Sequence, residues 1–196
     1  LPSLNKVKKR YEISYENYAI AILHPITTNT KNLKREAEIF FSSLQKSQLN
    51  YILIYPNNDH GSEIILNELI KYKKYNNFRI FPSIRFEYYL TLLKKSRFII
   101  GNSSSGIIEA PTFKVPCVNV GRRQNKRLRA KNVIDVLNYD EKKIVRAIKK
   151  AISKDFKKKL INLKNPYGDG KSSNKIVEYL LNTKVDKKLF FKEITY

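Results

Sequence analysis

Methionine and tryptophan are missing from this sequence, and cysteine occurs once, as Cys117. A single cysteine excludes an internal disulfide and a thiolate metal cage. Its place in the apolar stretch 115–120 marks it as a buried structural thiol. Histidine is nearly as scarce: His24 and His60 are the only two. Neither has a histidine or carboxylate neighbour at metal-ligand spacing, so no metal is expected. Neither G-x-G-x-x-G nor G-x-x-x-x-G-K-[ST] occurs, which argues against nicotinamide and P-loop chemistry, and no cofactor is expected. No apolar run approaches the roughly 20 residues of a membrane span, and no signal peptide is visible, so the expected setting is the cytoplasm, away from membranes. A start at Leu1 without a methionine anywhere is read as a piece of a longer protein.

What is abundant is positive charge. Lys and Arg number 39 against 17 Asp and Glu, a formal net charge of +22. Such a balance raises nucleic acid, membrane or phosphate-rich ligands as partners. The lysines, however, are spread over nearly every predicted helix, and neither zinc-finger spacing nor an RNA-recognition aromatic motif accompanies them. They read as solvated faces, and no nucleic-acid partner is expected. Apolar residues at 42% are enough for a globular domain with a real core.

Short apolar runs at 18–23, 51–55, 78–81, 98–101, 117–121 and 133–136 are rich in β-branched and aromatic residues, and most stop at Pro, Gly or Asn. They have the signature of strands buried on both faces. Helical spacing occupies 33–48, 62–74, 86–95, 106–113 and 141–153, with a last helix near 172–181. This alternation predicts parallel βαβ units: an α/β fold with a doubly wound, Rossmann-like parallel sheet. Residues 1–16 read as a lead-in, 17–170 as the domain, and 171–196 as a terminal helix and tail.

In an open parallel sheet, ligands bind beyond the carboxyl ends of the strands. The segments there are "HPITTNT", "PNNDHGS", "PSIRF", "GNSSSG" and "GRRQNKR". In the fourth, Ser103 or Ser104 can cap a helix whose unpaired N–H groups could hold a phosphate, and Gly106 would let a ligand approach the backbone. Serines are also ordinary N-caps, so the loop alone leaves both readings open. Arg123, on the next loop, could pair with the same anion in bidentate fashion. Arg122, Arg127 and Arg129 crowd that loop too, and at most one or two of the four can face a ligand. Glu109, about one and a half helical turns beyond the cap, could accept both hydroxyls of a ribose, or could be a plain surface glutamate. His24 suits a ligand-facing position with a near-neutral pKa. His60 reads as a solvated turn residue.

With those loops in order, the chain resembles the hydrolysing UDP-N-acetylglucosamine 2-epimerases of sialic- and related nonulosonic-acid synthesis, most specifically in "HPITT", "PNNDHGS", "GNSSSGIIEAP" and "GRRQ". The resemblance implies the C-terminal half of a two-domain glycosyltransferase-B-type fold, with UDP held by this half. It implies Ser103 and Ser104 on the diphosphate, Glu109 on the ribose, and Arg123 on phosphate. Ile84 would meet uracil through its backbone, Asn57 would line the site, and His24 would take part in catalysis. The implied partners are a UDP-sugar, the absent N-terminal domain and further copies of the chain in a homo-oligomer. The implied reaction converts UDP-N-acetylglucosamine and water to N-acetylmannosamine and UDP. A hydrolysing UDP-N,N'-diacetylbacillosamine 2-epimerase and a non-hydrolysing 2-epimerase are the alternatives, with a UDP-sugar glycosyltransferase and a basic nucleic-acid module behind them. Arg122 and Lys126 depart from the family pattern, in the loop that also carries Arg127.

Overall fold

The computed structural model describes residues 1–28 and 30–184. Asn29, within "HPITTNT", and 185–196, most of the expected tail, lie outside the described residues. Two compact units are present, Leu1–Pro166 and Tyr167–Tyr196.

The first unit is built on six parallel strands: β1 (Ala19–Ile22), β2 (Tyr51–Ile54), β3 (Phe78–Phe81), β4 (Ile99–Gly101), β5 (Cys117–Val120) and β6 (Val133–Val136). Their spatial order is β3-β2-β1-β4-β5-β6. Every predicted apolar run contains one of them, and the doubly wound parallel sheet is the fold expected from the alternation. The order reverses between β1 and β4, the crevice where such sheets bind ligands.

The helices are α1 (Leu4–Arg10), α2 (Leu33–Lys46), α3 (Ser62–Ile70), α4 (Phe86–Lys95), α5 (Ser105–Ile108), α6 (Glu141–Ile152) and α7 (Lys154–Lys158). Side chains alternate across the sheet, as the two-residue strand period requires. From β1, Ala19 and Ala21 join Phe40, Leu44 and Ile148 in one buried cluster. Ile20 and Ile22 join Val7, Leu92 and Leu93 in the cluster on the other face. Two of these helices, α1 and α7, lie outside the helical stretches read from spacing. Seven and five residues long, they are too short to show a periodicity. Ser3 and Ser153 start them by accepting the N–H of Lys6 and Phe156.

Two predicted helices are cut short: the stretch expected over 62–74 is α-helical only to Ile70 and continues as a 3-10 turn at Lys71–Lys74. The stretch expected as helix over 106–113 is a four-residue helix, α5, followed by a 3-10 turn at Ala110–Phe113. Pro111 cannot donate to the carbonyl one turn back, and this interrupts the α-helical ladder.

Glycine at 101 is what allows β4 to end beside β1. Its φ is +131°, and a Cβ built there would lie 1.8 Å from the carbonyl oxygen of Ile22. No other residue fits, and the following residue, Asn102, is thereby delivered against the end of β1.

The second unit carries α8 (Ser172–Asn182). Ile176, Val177, Tyr179 and Leu180 are exposed on it.

Candidate active site

His24 leaves the end of β1 half-buried, and its backbone is gripped on both sides by one carboxamide. Its N–H donates to Asn102 Oδ1 at 2.7 Å, and its carbonyl accepts from Asn102 Nδ2 at 2.8 Å. The imidazole is set by the loop after β2, where the N–H of Asn57 donates to His24 Nδ1 at 3.0 Å. An accepting Nδ1 carries no proton, so the proton of the neutral ring sits on Nε2.

A near-neutral histidine was the expectation; the fold instead holds it well below that. Burial is the first cause and the neighbouring Arg123 guanidinium the second, and together they push His24 down to about 4. At neutral pH the ring is uncharged and presents Nε2–H as a hydrogen-bond donor.

The serine triplet follows β4. The hydroxyl of Ser103 accepts the N–H of Ser105 at 3.3 Å. Ser104 stands at the N-cap position but with helical φ and ψ, and its side chain makes no capping bond. Among the described residues, the N–H groups of Ser103 and Ser104 have no acceptor in the chain, so both are free to meet an anion. Because α5 is a single turn, its macrodipole is short, and these individual N–H groups and hydroxyls carry the anion affinity. The hydroxyl of Ser105 is already engaged, bonded to the buried Tyr89 phenol.

Gly106 does not have the role expected of it. It is buried, and a Cβ there would lie 2.3 Å from Cys117 Sγ. The missing side chain lets α5 pack on β5, not a ligand on the backbone. Cys117 is the buried thiol expected, and burial pushes it up to about 12.

The arginine loop after β5 resolves into separate directions. Arg123 Nη1 donates to the carbonyl of Asn102 at 3.3 Å, the residue just before Ser103. Arg122 lines a different depression of about 490 Å³, beside Arg35, Glu36 and Tyr139. Arg129 folds back onto the carbonyls of Gln124 and Arg127. Arg127 is exposed.

A cavity of about 260 Å³ opens between these loops. His24, Ile84 and Ser103 line it together, with Phe86 and Tyr89 among its walls. Asn57 adjoins through His24, and Arg123 through Asn102. Ser104 follows Ser103 but does not line the cavity, and Glu109 stands half-exposed at the end of α5. The carboxylate of Glu109 is felt by the phenol of Tyr89, a wall residue. His60 lies exposed in the turn after β2.

Two residues of the assembly escaped sequence reasoning. Asn102 and Gln124 are both buried, and Gln124 Nε2 donates to the Asn102 carbonyl at 2.8 Å. The available signal was a pair of amide residues in loops otherwise made of hydroxyls and charges. The described residues contain no cluster of three or more His, Cys, Asp or Glu side chains able to hold a metal.

The described residues therefore offer an apolar slot for a flat ring, a pair of free N–H groups with hydroxyls, a guanidinium beside them, and a neutral imidazole. That combination suits a ligand with an aromatic base at one end and a polyanionic linkage at the other.

Known proteins resemble this chain over most of its length. A "UDP-N-acetylglucosamine 2-epimerase" of Neisseria meningitidis is 49% identical over 153 residues, covering 78% of this chain and 40% of that protein. A "GDP/UDP-N,N'-diacetylbacillosamine 2-epimerase (hydrolyzing)" of Campylobacter jejuni is 36% identical over 177 residues, covering 89% and 43%. The crystal structure of Methanocaldococcus jannaschii UDP-GlcNAc 2-epimerase in complex with UDP-GlcNAc and UDP superposes with a TM-score of 0.70 at 22% identity, covering 91% of this chain and 49% of that one. The chain thus spans less than half the length of these relatives. The UDP-N-acetylglucosamine 2-epimerase family matches residues 1–181, and the chain belongs to it.

Proposed function

We propose that this chain is the UDP-gripping half of a hydrolysing UDP-N-acetylglucosamine 2-epimerase. The observation that supports it most directly is the convergence of His24, Ile84 and Ser103 on one cavity, with Arg123 tied to the residue before the serines. Uracil would enter the apolar slot and meet the backbone of Ile84. The diphosphate would rest on the Ser103 and Ser104 N–H groups and pair with Arg123. The ribose would reach Glu109.

The reaction proposed has two stages. In the first, a base removes the proton on C2 of the sugar, the C1=C2 double bond forms, and the C1–O bond breaks with its electron pair leaving on UDP. In the second, water adds across the double bond, with hydroxyl on C1 and a proton on the opposite face of C2, giving N-acetylmannosamine. The first stage is accelerated by whatever stabilises the departing diphosphate, which is the work of the free N–H groups and Arg123. A neutral His24 is a poor base at Nδ1, which is occupied, but its Nε2–H can donate to the departing phosphate oxygen. In this reading an N-terminal domain of the same protein completes the cleft and supplies the acid–base carboxylates. The enzyme works in the cytoplasm as a homo-oligomer. Residues 1–16 lead in from that domain, 17–170 form the UDP-binding domain, and 171–196 form the terminal helix and tail.

A second reading, UDP-N,N'-diacetylbacillosamine as substrate, draws on the Campylobacter jejuni relative and on a Legionella pneumophila relative at 34% identity. Turnover by the parent protein containing this chain, with the product identified by NMR, separates the two. N-acetylmannosamine supports the first, a 2,4-diacetamido-2,4,6-trideoxy sugar the second, and a UDP-linked epimer overturns the hydrolysing reaction. For the chain alone, UDP is expected to move the amide signals of residues 102–106, with no epimerase turnover. Unmoved amides would overturn the assignment of the nucleotide site.

A further inference from the structure

Asn102 is completely buried, at 0% exposure, and every polar atom of it is in use. Its side chain brackets His24 with the two bonds of 2.7 and 2.8 Å already described. Its own N–H donates to the carbonyl of Ile22 at 3.2 Å. Its carbonyl accepts from Gln124 Nε2 at 2.8 Å and from Arg123 Nη1 at 3.3 Å. The end of β1, the loop after it and the loop after β5 are therefore all tied to one residue of the loop after β4.

We infer that Asn102 is a positioning residue, holding the His24 imidazole and the Arg123 guanidinium in fixed relation to the Ser103 and Ser104 N–H groups. This rests on the reading of those groups as a diphosphate site. The chemistry demands an amide at this place. His24 offers Asn102 a donor and an acceptor from one residue, and a carboxamide answers both through two separate atoms without carrying charge. An aspartate would accept the N–H but could not donate to the carbonyl, and would bring a buried charge beside the anion site. An aliphatic residue would leave both His24 groups unpaired, at a cost of about 1–3 kcal/mol for each buried group. A residue that only stapled loops together could do so without controlling the ring. The charged groups facing the imidazole are Arg123 and Asp59, with Asn57 as its hydrogen-bond donor. Freed from the bracket, the ring would leave this environment for water.

The test uses the chain without nucleotide and follows the ring signals of His24 through a pH titration by NMR, with His60 as an internal reference. In Asn102→Ala, the midpoint of His24 is expected to move up by about one unit or more as the ring becomes solvated. Asn102→Asp, which is isosteric, is expected to raise it as well, through added negative charge. An Asn102→Ala chain that unfolds cooperatively yet titrates His24 as the parent does would overturn the inference. Should the alanine variant fail to fold, hydrogen exchange of the unmodified chain decides. The His24 N–H, bonded to Asn102 Oδ1, should exchange as slowly as the β1 amides, and exchange as fast as exposed Thr27 and Thr28 would overturn the bracket. UDP affinity should fall about tenfold in Asn102→Ala. If UDP moves no amide of 102–106 in the unmodified chain while the variant still shifts His24, the bracket is supported and the nucleotide reading fails.

Discussion

The N–H of Asn57 donates to Nδ1 of His24 across 3.0 Å, so a backbone group of one loop dictates the tautomer of a side chain on another. The bond requires an unprotonated Nδ1. Protonating His24 breaks it and places a cation beside Arg123.

Acid should therefore weaken this fold through His24. Its folded value of about 4 lies below the ordinary 6.5. The unfolded chain then binds the extra proton first, and stability present above pH 6.5 falls as the pH drops through the window from 6.5 to 4. The full loss is roughly 3 kcal/mol. Urea unfolding across that window should show the decline in the parent and lack this component in His24→Gln. A parent whose stability is flat between pH 6.5 and 4.5 would contradict it.

Neighbouring arginines should differ sharply in their effect on UDP. Arg123 reaches the Asn102 carbonyl beside the serines, whereas Arg122 lines the other depression. By calorimetry, Arg123→Ala should weaken UDP binding by about 1.5–3 kcal/mol, the range for a hydrogen bond to a charged group. Arg123→Lys should recover part of it, keeping the charge but not the fork. Arg122→Ala should change affinity less than about twofold, the scale of an exposed long-range charge. Equal losses at the two positions would show that the loop presents both.

Gly106→Ala should destabilise the domain by about 1–3 kcal/mol, the cost of overpacking. The new methyl would collide with Cys117 Sγ, 2.3 Å from its built position. Adding Cys117→Ala removes that sulfur, so the double variant should be more stable than the sum of the two single losses predicts. Additive losses in a thermal-melt cycle would place the strain elsewhere.

Cys117 itself should be silent toward thiol reagents in the native state. It is fully packed, and its ionisation is pushed up to about 12. Its reaction with a chromogenic disulfide should be slow in buffer and should rise in step with global unfolding in urea. Rapid labelling of native protein would mean that β5 opens locally.

The fold was legible because its signals are local. Runs such as 51–55 and 98–101 are too short and too apolar for surface helices, and the stretches between them have the helical period. The predicted boundaries of α4 match the observed ones because Phe86 and Lys95 bound an uninterrupted amphipathic face. Failure came where one residue cut a pattern, at Pro111, or where a helix was a turn or two long, at α1 and α7. The site was legible in part: His24, Ile84 and Ser103 do meet in one cavity. The separation of Arg123 from Arg122 was not legible, since both are loop arginines and only the path of the backbone decides which way each points.

Residue order alone settled that six strands would alternate with helices, and that polar loops would gather at one edge, because periodicity and strand direction are properties of the chain taken segment by segment. Which of those loop residues touch, that Gly106 faces sulfur and no ligand, and that His24 is held far below its ordinary pKa were decided by tertiary structure. Those outcomes depend on contacts between residues 78, 11 and 33 positions apart, and a one-dimensional pattern carries no distances between such partners.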